Sequence, residues 1–135
     1  MIKKVNHIAI VVSDMEEANN FWVDVLGLKL ESVQQVEEEG VEVAFLPVGD
    51  SEIELLRPID TQGGVAKYLE KRGPGMHHIC FEVDDIETML EKLRRYNVPL
   101  ITEDVVVNEN GTKYAFIHPK GANGVLVELY ELSQK

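Results

Sequence analysis

Four side chains able to bind a metal or move a proton recur in register along this chain: His7 with His78, and Glu54 with Glu128. Residues 7–16, HIAIVVSDME, overlie 78–87, HICFEVDDIE, at an offset of 71. The two are identical at His7/His78, Ile8/Ile79, Val12/Val83, Asp14/Asp85 and Glu16/Glu87. IEL at 53–55 and VEL at 127–129 correspond at an offset of 74, so the second copy has gained three residues between its first and last strands. Two imidazoles and two carboxylates make a mixed nitrogen and oxygen donor set for a divalent transition metal, with positions left for water or substrate. No short ligand motif such as H-E-x-x-H is present, so the assignment rests on the repeat. His77 aligns with Asn6 and is expected to pack or hydrogen-bond rather than ligate.

The elements that must position these residues read as a strand then a helix in each copy. VNHIAIVV and HHICFEV are short, apolar or β-branched runs. Each precedes a capping signal, Ser13 with Glu16 and Asp84 with Glu87. Apolar residues at helical spacing follow: Met15, Ala18, Phe21, Trp22 and Val25, then Ile86, Met89, Leu90 and Leu93. Three strands are expected after each helix. They are LKLESVQQV, VEVAFLPV and EIELLRP in the first copy, and LITEDVVV, KYAFIHP and GVLVELYEL in the second. The expected order is β-α-β-β-β, twice, in a single domain with module 1 over about 1–59 and module 2 over about 76–135. The linker at about 60–75 holds a short helix, VAKYLEK. Side chains alternate across a strand, so His7 and Ala9 face away from Ile8 and Ile10, and His78 and Cys80 away from Ile79 and Phe81. Glu54 and Glu128 likewise oppose their apolar neighbours, which would bring all four polar residues to one concave face.

A chain of 135 residues with 44% hydrophobic content suffices for one compact domain or two small halves sharing a core. With 24 acidic against 13 basic residues the formal charge is −11, which argues against nucleic acid or an anionic membrane as partner. An anionic small molecule still fits, because a metal or a few lysines can reverse the potential inside a cleft. Cys80 is the lone cysteine, the start MIKKVNHIAIVVSDM has no long apolar signal segment, and no run approaches the ~20 apolar residues that span a bilayer. A soluble cytoplasmic protein is expected.

The repeat, together with VNHIAIVV, GMHHICFEVDDIE, IELLRP and IHPKGANGVLVELYE, resembles the methylmalonyl-CoA epimerase family of the vicinal-oxygen-chelate (glyoxalase/bleomycin-resistance) superfamily, from Lys3 to about Glu131. The resemblance implies an α+β fold of two tandem βαβββ modules forming a partly open, eight-stranded, barrel-like cup, commonly as a homodimer. It also implies a divalent ion held by His7, Glu54, His78 and Glu128, with cobalt favoured over manganese, nickel, zinc or magnesium. The implied activity interconverts the C2 epimers of methylmalonyl-CoA by proton abstraction through a metal-stabilised enolate. Glu128 would be ligand and base, with Glu54 the nearest partner on the other face. A carboxylate is a weak base in water, so partial burial must tune it. For the coenzyme A diphosphate, Lys120, Lys113 and Arg57 are the candidate cations near strand ends.

One departure from the family pattern stands out. Some epimerases carry a glutamate three residues after the glycine of an E-Q-G-V-like stretch, and here EEGVEVAF puts Val43 there. Glu42 is adjacent, yet alternation points it through the other face of its strand. Rival functions on the same fold are a glyoxalase-type isomerase acting on a glutathione hemithioacetal, an iron-dependent extradiol dioxygenase, and a metal-free antibiotic-binding protein. The four-residue donor set argues against the last two. The acidic run Glu37, Glu38, Glu39 is read as solvated surface.

Overall fold

A computed structural model describes residues 1–133. The strands are β1 (Ile2–Val11), β2 (Ser32–Val36), β3 (Val41–Val48), β4 (Ser51–Pro58), β5 (Gly75–Val83), β6 (Val106–Val107), β7 (Lys113–Ile117) and β8 (Leu126–Glu131). The helices are α1 (Met15–Asn19), α2 (Gly64–Arg72) and α3 (Ile86–Arg95). The expected β-α-β-β-β order therefore appears twice, with strand orders β2-β3-β4-β1 and β5-β8-β7-β6. In each set the pair carrying the histidine and the glutamate, β1 with β4 and β5 with β8, is parallel, and the remaining pairs are antiparallel. Neither set closes on itself, since β2 pairs with β3 and β6 with β7 as edge strands. The α+β class that the resemblance implies is what the chain adopts.

The chain divides into two compact units, His7–His77, and Met1–Asn6 with His78–Lys135. The N-terminal residues join the second unit through polar contacts. The Met1 ammonium lies 2.7 Å from Asp84, Lys3 Nζ lies 3.5 Å from Glu82, and Asn6 Nδ2 donates to Glu82 at 3.3 Å.

In the His7–His77 unit, Val12, Ala44, Leu46 and Leu55 form a core on which Ile10, Met15, Ala18, Trp22 and Val23 pack. Fully burying a side chain such as Leu46 or Leu55 stabilises by ~1.5–3 kcal/mol. The helix differs from expectation in two respects. Its N-cap is Asp14, which accepts from the Glu17 N–H, rather than Ser13. It also widens into a π turn over Asn20–Val25, with Leu26 N–H bonded to the Phe21 carbonyl. Two successive asparagines, poor helix formers, mark the switch. The wider turn rotates Val23 onto the core and leaves Phe21 and Val25 at 50% and 77% exposure. β2 begins at Ser32, four residues later than LKLESVQQV suggested.

In the second unit, Val83, Ile86, Leu90, Ala115, Ile117 and Leu129 form the core, joined by Met89 and Leu93 as the α3 spacing predicts. Its cap is Asp85, the repeat partner of Asp14, accepting from the Thr88 N–H, rather than Asp84. Asp84 is instead taken by the chain's ammonium. The expected strand over 100–107 shrinks to Val106–Val107, with Leu100 making an isolated bridge to Ile117.

Candidate metal centre and active site

Alternation along β1 sends Ile10 and Val12 onto the helix-side core. Ala9 goes to the other face, where it clusters with Val41, Val43 and Leu56. His7 shares that second face and is buried. β4 runs parallel with Ala9 opposite Glu54, and this offset brings His7 Nδ1 to 3.3 Å from Glu54 Oε2. The second unit repeats the arrangement. Cys80 stands opposite Glu128 across the parallel β5 and β8, and His78 Nε2 lies 3.2 Å from Glu128 Oε1. Side-chain exposures are 8% and 16% for the first pair and 10% and 11% for the second.

The structure adds a third repeated residue. Phe45 stands opposite Glu54 on antiparallel β3, and Phe116 stands opposite Glu128 on antiparallel β7. The Phe116 ring meets His78 edge-on with centroids 5.9 Å apart. The signal was present in the sequence, because Ala44-Phe45 recurs as Ala115-Phe116 at the same offset of 71. An apolar ring beside each carboxylate excludes water and strengthens its electrostatic contacts.

Each His–Glu pair fits a divalent ion. Nitrogen and oxygen donors held at about 2.0–2.2 Å from one ion in neighbouring coordination positions lie about 3 Å from each other. The observed separations of 3.3 and 3.2 Å match that spacing. Imidazole and carboxylate also suit ions from manganese to zinc.

Other sequence candidates have different surroundings. Val43 lies in the cluster on the His7 face, whereas Glu42 accepts from Arg57 Nε at 2.9 Å, so Glu42 is turned away as alternation predicted. Arg57 is thus already carboxylate-bound. Lys113 is bound as well, 3.1 Å from Glu87 and 3.9 Å from Glu131, in a group formed by the exposed Asp85 and Glu87 and the partly buried Glu131. The Glu87 hydrogen bond raises the Lys113 pKa above its ordinary 10.5. The Thr88 backbone N–H lowers that of Asp85 below 3.8, and the ammonium bond lowers that of Asp84. Lys120 sits exposed in the turn Pro119–Gly121, where its N–H donates to His118 Nδ1 at 3.0 Å, so His118 caps that turn. His77 packs against Tyr68, 5.0 Å between ring centroids, in keeping with a packing role.

Glu82, which strand alternation puts on the face of His78 and Cys80, is not among the sequence's candidate site residues. It is a buried carboxylate, 7% exposed, on the strand face of His78 and Cys80 and bound by Asn6 and Lys3. A signal existed in the alignment, where its repeat partner is Val11.

Residues 6–116 match the model of the Glyoxalase/Bleomycin resistance protein/Dioxygenase superfamily. The mitochondrial methylmalonyl-CoA epimerase of Homo sapiens is 38% identical over 127 residues, 93% of this chain and 72% of the human one. The crystal structure of methylmalonyl-CoA epimerase from Mycobacterium tuberculosis superimposes with a TM-score of 0.86 at 34% identity, covering 98% of this chain and 89% of that one. The chain belongs to the methylmalonyl-CoA epimerase family of this superfamily. The family that the sequence resembles, and the α+β fold which that resemblance implies, are therefore borne out. A Streptomyces coelicolor family member is solved in complex with 2-nitronate-propionyl-CoA, at 28% identity and a TM-score of 0.85, covering 99% of this chain and 97% of that one.

Proposed function

We propose that this chain interconverts the C2 epimers of methylmalonyl-CoA, with His7, Glu54, His78 and Glu128 together holding one divalent ion. The observation that carries the reading is the buried His–Glu pair found at equivalent places in both units, in a member of the epimerase family. A divalent ion bound there supplies Lewis-acid stabilisation of the charge that develops on the substrate's oxygens. The chain's own residues supply the rest. Glu128 accepts the C2 proton from one face and Glu54, carrying a proton, donates it to the other, so that the centre inverts; the reverse reaction swaps the two roles. Phe45 and Phe116 keep water from both carboxylates.

Cobalt is the preferred ion and a homodimer the working assembly under this reading. No helix among the described residues is long and apolar enough to cross a membrane. Cys80, buried and the single cysteine of the sequence, makes no intramolecular disulfide, which suits the reducing cytoplasm. Lys120 is an accessible cation for a CoA phosphate, while at Lys113 and Arg57 a phosphate would have to displace a carboxylate.

Proton NMR of a single epimer of methylmalonyl-CoA in D₂O tests the assignment, with protein stripped of metal and then given cobalt. Metal-dependent loss of the C2 proton signal with formation of the other epimer is expected. No exchange with any divalent ion, in folded protein that still binds metal, overturns it. Turnover of methylglyoxal with glutathione by the same preparation would then favour the glyoxalase-type activity.

A further inference from the structure

We propose that the basic face of α2 binds the nucleotide end of the CoA thioester, with Lys67, Lys71 and Arg72 receiving its phosphate groups. The inference rests on the epimerase reading and extends it to a surface that the sequence candidates did not include. A chain of net charge −11 places three of its 13 basic residues within the nine of α2, against the single acid Glu70. Lys71 and Arg72 would be accounted for by the helix C-terminus alone, where cations are favoured. Lys67 would not, because it lies mid-helix, with its N–H bonded to the carbonyl of the N-cap Gly63 and outside the last turn.

Position separates α2 from the other basic helix. Val65 of α2 packs on Ala9, Val41, Val43 and Leu56, the cluster on the His7 and Glu54 face. α3 also ends in cations, Lys92, Arg94 and Arg95, but it packs on Val83, Ala115, Ile117 and Leu129, the face away from His78 and Glu128. Arg57, Lys3 and Lys113 are engaged by carboxylates, while no salt bridge among the described residues holds Lys67, Lys71 or Arg72; Lys92 and Arg95 of α3 are likewise unbridged, so position is what separates the two helices.

Arg72 is positioned in advance of any ligand. Its guanidinium lies over the Tyr68 ring, 5.6 Å from the centroid. The Tyr68 hydroxyl donates to the Met76 carbonyl at 2.6 Å, and its ring meets His77 edge-on. A guanidinium fixed on an aromatic face loses little freedom when its planar fork meets a phosphate. The column ends beside His77, the residue before His78.

The test reverses charge at two exposed positions with Lys67→Glu/Lys71→Glu and compares methylmalonyl-CoA with methylmalonyl-pantetheine, which has the same reacting group and no phosphates. The KM for the CoA thioester should rise at least roughly ten-fold, the loss of one charge-assisted hydrogen bond. kcat should hold, and the pantetheine thioester should change by less than about two-fold, the scale of a remote surface charge. Lys92→Glu/Arg95→Glu on α3 makes the same change in net charge and should leave both KM values near those of the parent. An equal loss on both substrates, no loss on either, or the same loss from the α3 variant overturns the proposal. Should the parent epimerise neither thioester, the epimerase reading fails, and calorimetric binding of free coenzyme A decides this one separately. Weakened binding in the α2 variant upholds it; binding that is absent from the parent or equal in both proteins overturns it.

Discussion

Glu128→Gln should separate proton transfer from architecture. The substituted amide keeps the shape of the side chain and a carbonyl oxygen able to accept from His78 Nε2 across 3.2 Å. The metal-free protein therefore loses only the charge assistance of one hydrogen bond, about 0.5–1.5 kcal/mol. The amide cannot take a proton, and removing a positioned base lowers the rate by about 10²–10⁴, or ~2.7–5.4 kcal/mol at 1.36 kcal/mol per factor of ten. The repeat sharpens the expectation, because Glu54 lies in matching surroundings beside Phe45 and His7. Epimerisation should collapse, while exchange of the C2 proton with D₂O should vanish from only one epimer, the one whose proton faces residue 128. The other epimer should still exchange, through Glu54, without inverting. Proton NMR on each epimer separately, with metal content measured in parallel, reads this pattern. Near-normal inversion with metal bound, or equal loss of exchange from both epimers in protein that retains its metal, would refute the division of labour between the two carboxylates.

Three further outcomes are expected. Metal supplied at a hundred times its Kd should stabilise the protein by about 2.7 kcal/mol, raising Tm by roughly 10 °C over the chelator-treated form; Glu54→Gln should shrink that shift in differential scanning calorimetry. Gly40→Ala should destabilise by about 1–3 kcal/mol in urea denaturation, because φ is +66° and the added Cβ would meet the Asp60 carboxylate, which the Gln62 and Gly63 N–H groups hold in place. The stability of the second unit should fall at both extremes of pH. The Asp85 carboxyl, lowered by the Thr88 N–H, contributes above its unfolded value of 3.8 and loses that contribution as pH drops through its folded value. Lys113, raised by Glu87, contributes fully below 10.5 and loses its share as pH climbs through its folded value. Asp85→Ala should flatten the acid limb of a plot of urea midpoint against pH, and Lys113→Ala the alkaline limb.

The repeat made much of this molecule legible, for a reason that lies in strand geometry. A period of two fixes which residues share a face, so aligning His7 with His78 also assigned Ala9, Cys80, Ile10 and Phe81 to their sides, and it turned Glu42 away from Val43. Helix detail was less legible. The π turn over Asn20–Val25 changes the number of residues per turn, so a spacing counted at 3.6 placed Phe21 and Val25 inward when Val23 takes that place. The caps slipped by one residue because Ser13 and Asp14, like Asp84 and Asp85, are all good capping types, and a capping pattern cannot choose between neighbours. Arg57 and Lys113 looked free along the chain because their carboxylate partners, Glu42 and Glu87, are 15 and 26 residues distant.

Where the copies agree and where they part carries a functional distinction. Histidine, glutamate and phenylalanine recur in the same cross-strand register on parallel and antiparallel neighbours. An epimerase has reason to keep them alike. Its substrate and product differ at one carbon, so the forward and reverse abstractions are of nearly equal difficulty and call for two bases of similar strength in similar surroundings. The rest of the substrate has no such symmetry and must bind in one orientation, which identical copies could not enforce. The differences fall on the same strand face as the histidines: Ala9 becomes Cys80, and Val11 becomes the buried Glu82 with its Asn6 and Lys3 partners. α2 adds a third asymmetry, since the linker that carries its cations occurs once in the chain. Symmetric residues thus suit the chemistry at C2, and the unrepeated ones suit the selection of how the thioester lies.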